Sequence, residues 1–177
     1  MKEITIKRIT DTENDEYTFA ERLLVNSFPT DEYREIEEQR KNVNNRENFH
    51  MNIIYSSTTP VGIISFWEFG TFTYIEHFAI LPTLRNCGYG AYAIKELIKK
   101  GKNIILEVEM PTDETSIRRI NFYKRCGLTL CEKEYIQPAY RNDSNEIPMY
   151  LMSCGMDLNN NFDYVKGEIF RTVYGKV

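Results

Sequence analysis

Apolar and polar residues alternate from Ile4 to Ile9, so the chain is expected to open with a half-buried strand. The period then changes. From about Asp15 to Phe28, positions Ala20, Leu23, Leu24, Ser27 and Phe28 fall at helical spacing, and Pro29 stops the run. Thr30 is placed to cap a second helix reaching about Val43. Asp31 and Glu32 lie in its first turn and Arg40 and Lys41 near its end, as the helix dipole favours. That segment is very polar and is expected on the surface.

A period of two returns over Phe49–Ser56, Val61–Phe69 and Phe72–Leu81. The short turns between these runs predict an antiparallel meander, which Pro82 ends. Gly88–Lys100 reads as an amphipathic helix with Ala93, Ile94 and Leu97 on one stripe. Asn103–Glu109 follows as a strand, and Thr115–Cys126 as a helix stopped by Gly127. Leu128–Ile136 and Ile147–Cys154 predict two last strands joined by a polar loop, and Phe162–Tyr174 a short terminal helix. With no repeat, low-complexity tract or linker in view, residues 1–177 are expected to form one α/β (α+β) domain, with a tail from about residue 160.

Composition narrows the function. The chain has 177 residues, 42% of them hydrophobic, enough to cover both faces of a sheet and too many for a disordered chain. The net charge of -4 and the lack of a Lys/Arg-rich run argue against a nucleic-acid partner. They are compatible with cationic substrates such as amines. No run approaches the ~18 apolar residues of a membrane helix, and the polar N-terminus does not read as a signal peptide, so a cytoplasmic location is expected. Cys87, Cys126, Cys131 and Cys154 are scattered without a C-x-x-C pair, and only His50 and His77 accompany them. No metal site is therefore expected, and the cysteines read as free thiols in a reducing compartment.

The informative stretch is YIEHFAILPTLRNCGYGAYAIKELI, in which a strand runs into a Gly-punctuated turn and then a helix. Arg85, Gly88 and Gly90 give R-x-x-G-x-G. Glycine lets a ligand approach the backbone closely, and a helix start points N–H groups at an anion such as a pyrophosphate. The pattern lacks the third glycine of a dinucleotide-binding βαβ unit and follows an antiparallel meander, which disfavours that alternative.

This segment resembles the acetyl-CoA-binding motif of the GNAT superfamily of N-acetyltransferases. Arg85-Asn86-Cys87-Gly88-Tyr89-Gly90-Ala91 matches the family's Q/R-x-x-G-x-G/A, Leu106-Glu107-Val108 its next strand, and Asn121 to Leu128 its tyrosine-bearing helix end. The resemblance implies a mixed, mostly antiparallel twisted sheet of about seven strands flanked by helices, with a splay between the fourth and fifth strands. It implies acetyl-CoA as co-substrate, gripped by backbone groups at Phe78, Ala79 and Ile80 and by the turn from Arg85 to Ala91. Two positions depart from the family pattern on the following helix, where Ser116 and Arg119 stand; either could still contact the cofactor.

The same resemblance implies direct acetyl transfer to a primary amine in a ternary complex. Tyr123 falls on the general-acid position, and Glu76 and Glu107 are the two candidate bases. By strand alternation Glu76 is expected on the same face as Phe78 and Ile80, in the cleft, with His77 on the opposite face in a structural role. Phe28 and Glu32, from the helix junction, and Trp67 and Tyr140 are expected around the acceptor, the two rings holding a cation by their faces. The acceptor is a small-molecule or peptide amine. The apolar tail could cover a second copy of the chain in a homodimer. The alternative is an acyl-CoA-binding sensor or interaction module of the same fold without efficient catalysis.

Overall fold

Seven strands join into one mixed sheet in the order β1-β2-β3-β4-β5-β7-β6 in the computed structural model, which describes residues 3–176. The strands are β1 (Ile4–Ile9), β2 (Phe49–Ser56), β3 (Thr59–Glu68), β4 (Phe72–Ile80), β5 (Asn103–Glu109), β6 (Thr129–Gln137) and β7 (Ile147–Cys154). Five helices flank them: α1 (Asp15–Ser27), α2 (Ile36–Asn45), α3 (Tyr89–Lys99), α4 (Glu114–Arg125) and α5 (Leu158–Val173). Each pairing is antiparallel except β4 with β5.

Alternation along the strands divides the core into two layers. Ile53, Ile63, Trp67, Tyr74, Ile105 and Leu151 pack on one face with α1 and α5. Ile54, Ile64, Phe66, Ile75, Leu106 and Met152 pack on the other with α3 and α4.

The β4–β5 pairing is short. It runs from Phe72 opposite Asn103 to Ile75 opposite Leu106, after which both strands continue unpaired with each other. The cause lies in β4. Its register against β3 passes from Ile75 opposite Phe66 to His77 opposite Ser65, so Glu76 is an extra residue. Such a bulge bends and twists its strand, here at the point where β4 leaves β5.

Two expectations are corrected. The single helix from Thr30 to Val43 is a 3-10 turn (Thr30–Glu32) and the separate helix α2, which has Glu35 rather than Thr30 at its N-cap. The break turns Arg34 inward, where it is 1% exposed. The C-terminal helix is longer than expected, and its apolar stripe packs on its own chain. Leu158, Phe162, Val165, Ile169 and Val173 lie on one stripe, buried against the sheet. At roughly 1.5–3 kcal/mol for each large apolar side chain removed from water, that contact fixes α5 in place.

Candidate functional site

The gap between the diverging strands opens a cleft of about 830 Å³. Ile75 to Ile80 of β4 form one wall and Leu106, Glu107 and Glu109 of β5 the other, with the Gly turn and α4 closing the ends. Leu81 N–H bonds to Val61 C=O. By antiparallel alternation the main-chain groups of Phe78 and Ile80 therefore point away from β3, into the gap, while those of Ala79 face β3. Of the three expected backbone contacts, two are oriented toward a ligand.

The turn is built for an anion. Asn86 (φ 62°) and Gly88 (φ 86°) are left-handed, and the second conformation suits only glycine without strain. Gly88 is the N-cap of α3, so N–H groups of the first turn, such as those of Gly90 and Ala91, have no acceptor within the helix and sit at its positive end. A Cβ on Gly90 would lie 3.3 Å from Phe122 and 3.4 Å from Phe78, so glycine there lets three elements meet. Arg85 lines the cleft and bonds the Ile80 carbonyl through Nε (3.3 Å). Tyr89 also lines the cleft; Cys87 is exposed on the turn.

Glu76 faces away from the expected direction. The bulge puts Glu76 and His77 together on the α1 side, opposite Phe78 and Ile80. Glu76 is fully buried and paired with Arg34, whose guanidinium spans both carboxylate oxygens. Trp67 Nε1 (3.2 Å) and the Tyr140 hydroxyl (3.1 Å) donate to the same carboxylate. Burial alone would raise the Glu76 carboxyl, but Arg34 outweighs it and holds the group below its ordinary range. An ionised carboxylate with this many donors is a poor proton acceptor. Trp67 and Tyr140 are accordingly not free ring faces for a substrate. Trp67 is 1% exposed and both are committed to Glu76. His77 is held by Ser65 through Nδ1 (3.2 Å) and by the Glu32 carbonyl through Nε2 (2.8 Å), and burial lowers its pKa. It ties the α1–α2 connection to the sheet as a neutral ring.

Glu107 is different. It lines the cleft, yet among the described residues no cation pairs with it; its partners are the hydroxyls of Tyr135 and Tyr174 and the amide of Gln137. Burial pushes its carboxyl up to about 7, and the hydrogen bonds from Tyr135, Tyr74, Gln137 and Tyr174 pull against that shift without cancelling it. The carboxyl is therefore poised to gain or lose a proton near neutral pH.

Tyr123 lines the cleft from α4, beside Phe122 (centroids 5.1 Å apart). Burial pushes its phenol up to about 12, so it stays protonated and able to donate. Arg119 also lines the cleft, paired with Glu109 across to β5. Ser116 does not reach it. Its side chain is 2% exposed and bonds Asp113 in the capping box that starts α4, which is why a serine stands there. Phe28 and Glu32 line the other end of the cleft, and burial raises the Glu32 carboxyl.

Sequence reasoning missed Arg34, Tyr135 and Tyr174. Arg34 sits in a polar stretch with no periodic signal, Tyr135 lies inside a predicted strand, and Tyr174 ends the apolar tail. Among the described residues no cluster of His, Cys, Asp or Glu could hold a metal ion.

The chain is similar to known proteins. The acetyltransferase (GNAT) family model matches residues 6–128, more than half of the chain. A provisionally assigned GNAT-family acetyltransferase from Bacteroides thetaiotaomicron is 43% identical, with a TM-score of 0.94 over 98% of this chain and 99% of that one. A Bacillus subtilis acetyltransferase solved in complex with CoA shares the fold at 16% identity, with a TM-score of 0.59 over 88% of this chain and 100% of that one. The provisionally named acetyltransferase YjbC of Bacillus subtilis (strain 168) is 38% identical over 66 residues, 36% of this chain and 34% of that protein. The matched family segment contains the bulged strand, the Gly turn and the tyrosine helix of the cleft, and on that match the chain belongs to the GNAT acetyltransferase family.

Proposed function

We propose that this protein, acting as a single cytoplasmic domain, transfers the acetyl group of acetyl-CoA to a primary amine within a ternary complex. The observation that carries the reading is Glu107: a carboxyl in the wall of the split, unpaired with any cation among the described residues, with its pKa raised to about 7. A protonated amine must lose a proton before it can attack, and an acceptor matched to neutral pH does this best.

The first turn of α3 and the cationic rim at Arg85, Arg118 and Arg125 would hold the phosphates. The Phe78 and Ile80 main-chain groups would pair with the amide-bearing arm in the gap. Bound acetyl-CoA supplies an activated acyl carbon and a sulfur leaving group. Glu107 takes the proton from the amine. Tyr123 holds a proton at its phenol on the opposite side of the split, where a departing thiolate needs one. Glu32 and Glu107 give the acceptor end an acidic character that favours an ammonium group over an anion. The free thiols of Cys126, Cys131 and Cys154 suit a reducing cytoplasm.

Thiol release from acetyl-CoA over a panel of primary amines, with calorimetry of cofactor binding, tests this reading. At least one amine should support release. With that amine, Glu107→Gln should lose roughly 10²–10³-fold in kcat/KM near neutral pH and recover at high pH, with acetyl-CoA affinity kept. Cofactor binding without release by any amine would replace catalysis with a binding role, and no binding at millimolar acetyl-CoA would overturn both.

A further inference from the structure

A buried carboxyl that titrates has to be accommodated in two states. Ionised, it needs donors; protonated, it carries an O–H of its own, and one former donor must turn elsewhere. Gln137, from β6, donates an amide N–H and cannot reverse without flipping its side chain. The groups around Glu107 therefore decide whether it can cycle at all.

Tyr174, immediately after α5, is placed to do this. Its hydroxyl lies 3.2 and 3.0 Å from the two Glu107 oxygens and 3.3 Å from the hydroxyl of Tyr140. It has one proton, and besides Glu107 the Tyr140 oxygen and, at the longer distance of 3.4 Å, the Tyr74 oxygen can accept it. The Tyr140 oxygen is kept available by the Arg34–Glu76 pair. Glu76 is held ionised, so it accepts the Tyr140 proton (3.1 Å) and leaves the Tyr140 oxygen facing Tyr174 with its lone pairs. Tyr74 of β4 lies 3.4 Å from Tyr174, and Tyr135 of β6 bonds Glu107 directly. These tyrosines, Gln137, and Glu76 with Arg34 behind Tyr140 are the titratable and polar groups facing Glu107 from β4, β6, the loop after β6, and α5.

We propose that Tyr174 is a positioning residue for Glu107: its hydroxyl proton points to Glu107 when that carboxyl is ionised and to Tyr140 when it is protonated. The relay gives the Arg34–Glu76 pair a purpose at a distance, because a neutral group at position 76 would release Tyr140 to turn its own proton toward Tyr174. It also makes the C-terminal helix, which lies beyond the matched family segment, part of the working site. The inference rests on the reading that Glu107 takes the amine's proton. The hydrogen-bonded switch can nevertheless be measured without turnover.

The experiment is a pH titration of ¹³C-carboxyl-labelled glutamate by NMR, with the Glu107 signal identified by its loss in Glu107→Gln. Tyr174→Phe and Tyr140→Phe are compared with wild type, and each keeps its ring. Tyr174→Phe removes a donor to the ionised form, so the Glu107 midpoint should rise by roughly half to one pH unit, the equivalent of one hydrogen bond. Tyr140→Phe leaves Tyr174 only Glu107 and the longer contact to Tyr74 (3.4 Å), so the protonated form loses the better alternative acceptor and the midpoint should fall. The opposite signs are the signature. Simple loosening would admit water and lower the midpoint in both variants. An unchanged midpoint in either variant, or a fall in Tyr174→Phe, overturns the relay. With an amine that turns over, the acidic limb of kcat/KM should move with the midpoint. If the midpoints shift in opposite directions and the limb stays fixed, the relay stands and Glu107 is not the proton acceptor.

Discussion

Replacing Arg34 by methionine isolates the electrostatics of the site. The guanidinium is 1% and the Glu76 carboxylate 0% exposed. Arg34 also bonds Gln39 at 2.7 Å and lies 5.2–5.8 Å from the rings of Tyr140, Trp67 and Phe49. Methionine fills most of that space but leaves a carboxylate with only neutral donors, Trp67 and Tyr140, in a dry interior. Breaking one side of a buried ion pair costs about 3–5 kcal/mol, which in a chain of this size is a fall in Tm of roughly 6–20 °C. The sign of the pH dependence should also reverse at this residue. In the wild type the Glu76 pKa is depressed, so its stabilisation is present at neutral pH and is lost as pH falls through that depressed value. Without Arg34, burial raises the same pKa, and acid should reduce the deficit by neutralising the carboxyl. Urea unfolding at pH 7 and pH 5 reads both effects. The double variant Arg34→Met/Glu76→Gln, with no buried charge left, should recover more than half of the loss at pH 7. A single variant within about 1 kcal/mol of wild type at pH 7, or a double variant no more stable than the single, would refute the reasoning.

Gly88→Ala places a Cβ at φ 86°, at a cost of roughly 1–2 kcal/mol in the left-handed region. Acetyl-CoA affinity, measured by calorimetry, should fall about tenfold or more as the turn relaxes away from the phosphate-holding shape. Tyr123→Phe should lower kcat toward the low end of the roughly 10²–10⁴-fold range for proton transfer, with cofactor affinity kept, when an amine is used for which chemistry limits turnover. Ser116→Ala should cost about 1 kcal/mol of stability through the lost reciprocal bond of the capping box, the Asp113 cap itself remaining, while leaving acetyl-CoA affinity within about twofold. The raised Glu107 pKa means the folded state holds this proton more tightly than the unfolded chain. Stability from it is therefore fully present below the ordinary carboxyl value of 4.5 and is lost as pH rises from there through about 7, by roughly 3 kcal/mol in total. Denaturant melts of wild type and Glu107→Gln between pH 4 and 8 should show that slope, flattening above about pH 7, only in the wild type.

Periodicity alone determined most of the elements, though not the break between Thr30 and Val43 or the start of α5. The bounds of β1, β2, β5 and β7 coincide with the expected runs, because side chains on a pleat must alternate whatever lies beyond it. The Gly turn was equally legible, since only its own backbone conformation and the start of the next helix decide what it can hold. Three outcomes required the third dimension. One inserted residue in β4 reversed the side on which Glu76 lies, and strand alternation cannot reveal a bulge because the register belongs to the pairing with β3. The separation of the two glutamates into an ion-paired anion and a titrating acid followed from Arg34 in one environment and Tyr135, Gln137 and Tyr174 in the other. Tyr174 meets Glu107 across 67 positions of chain. Local sequence sets which way a backbone runs, but a carboxyl's pKa is set by the charges and hydroxyls that distant segments bring within a few ångströms of it.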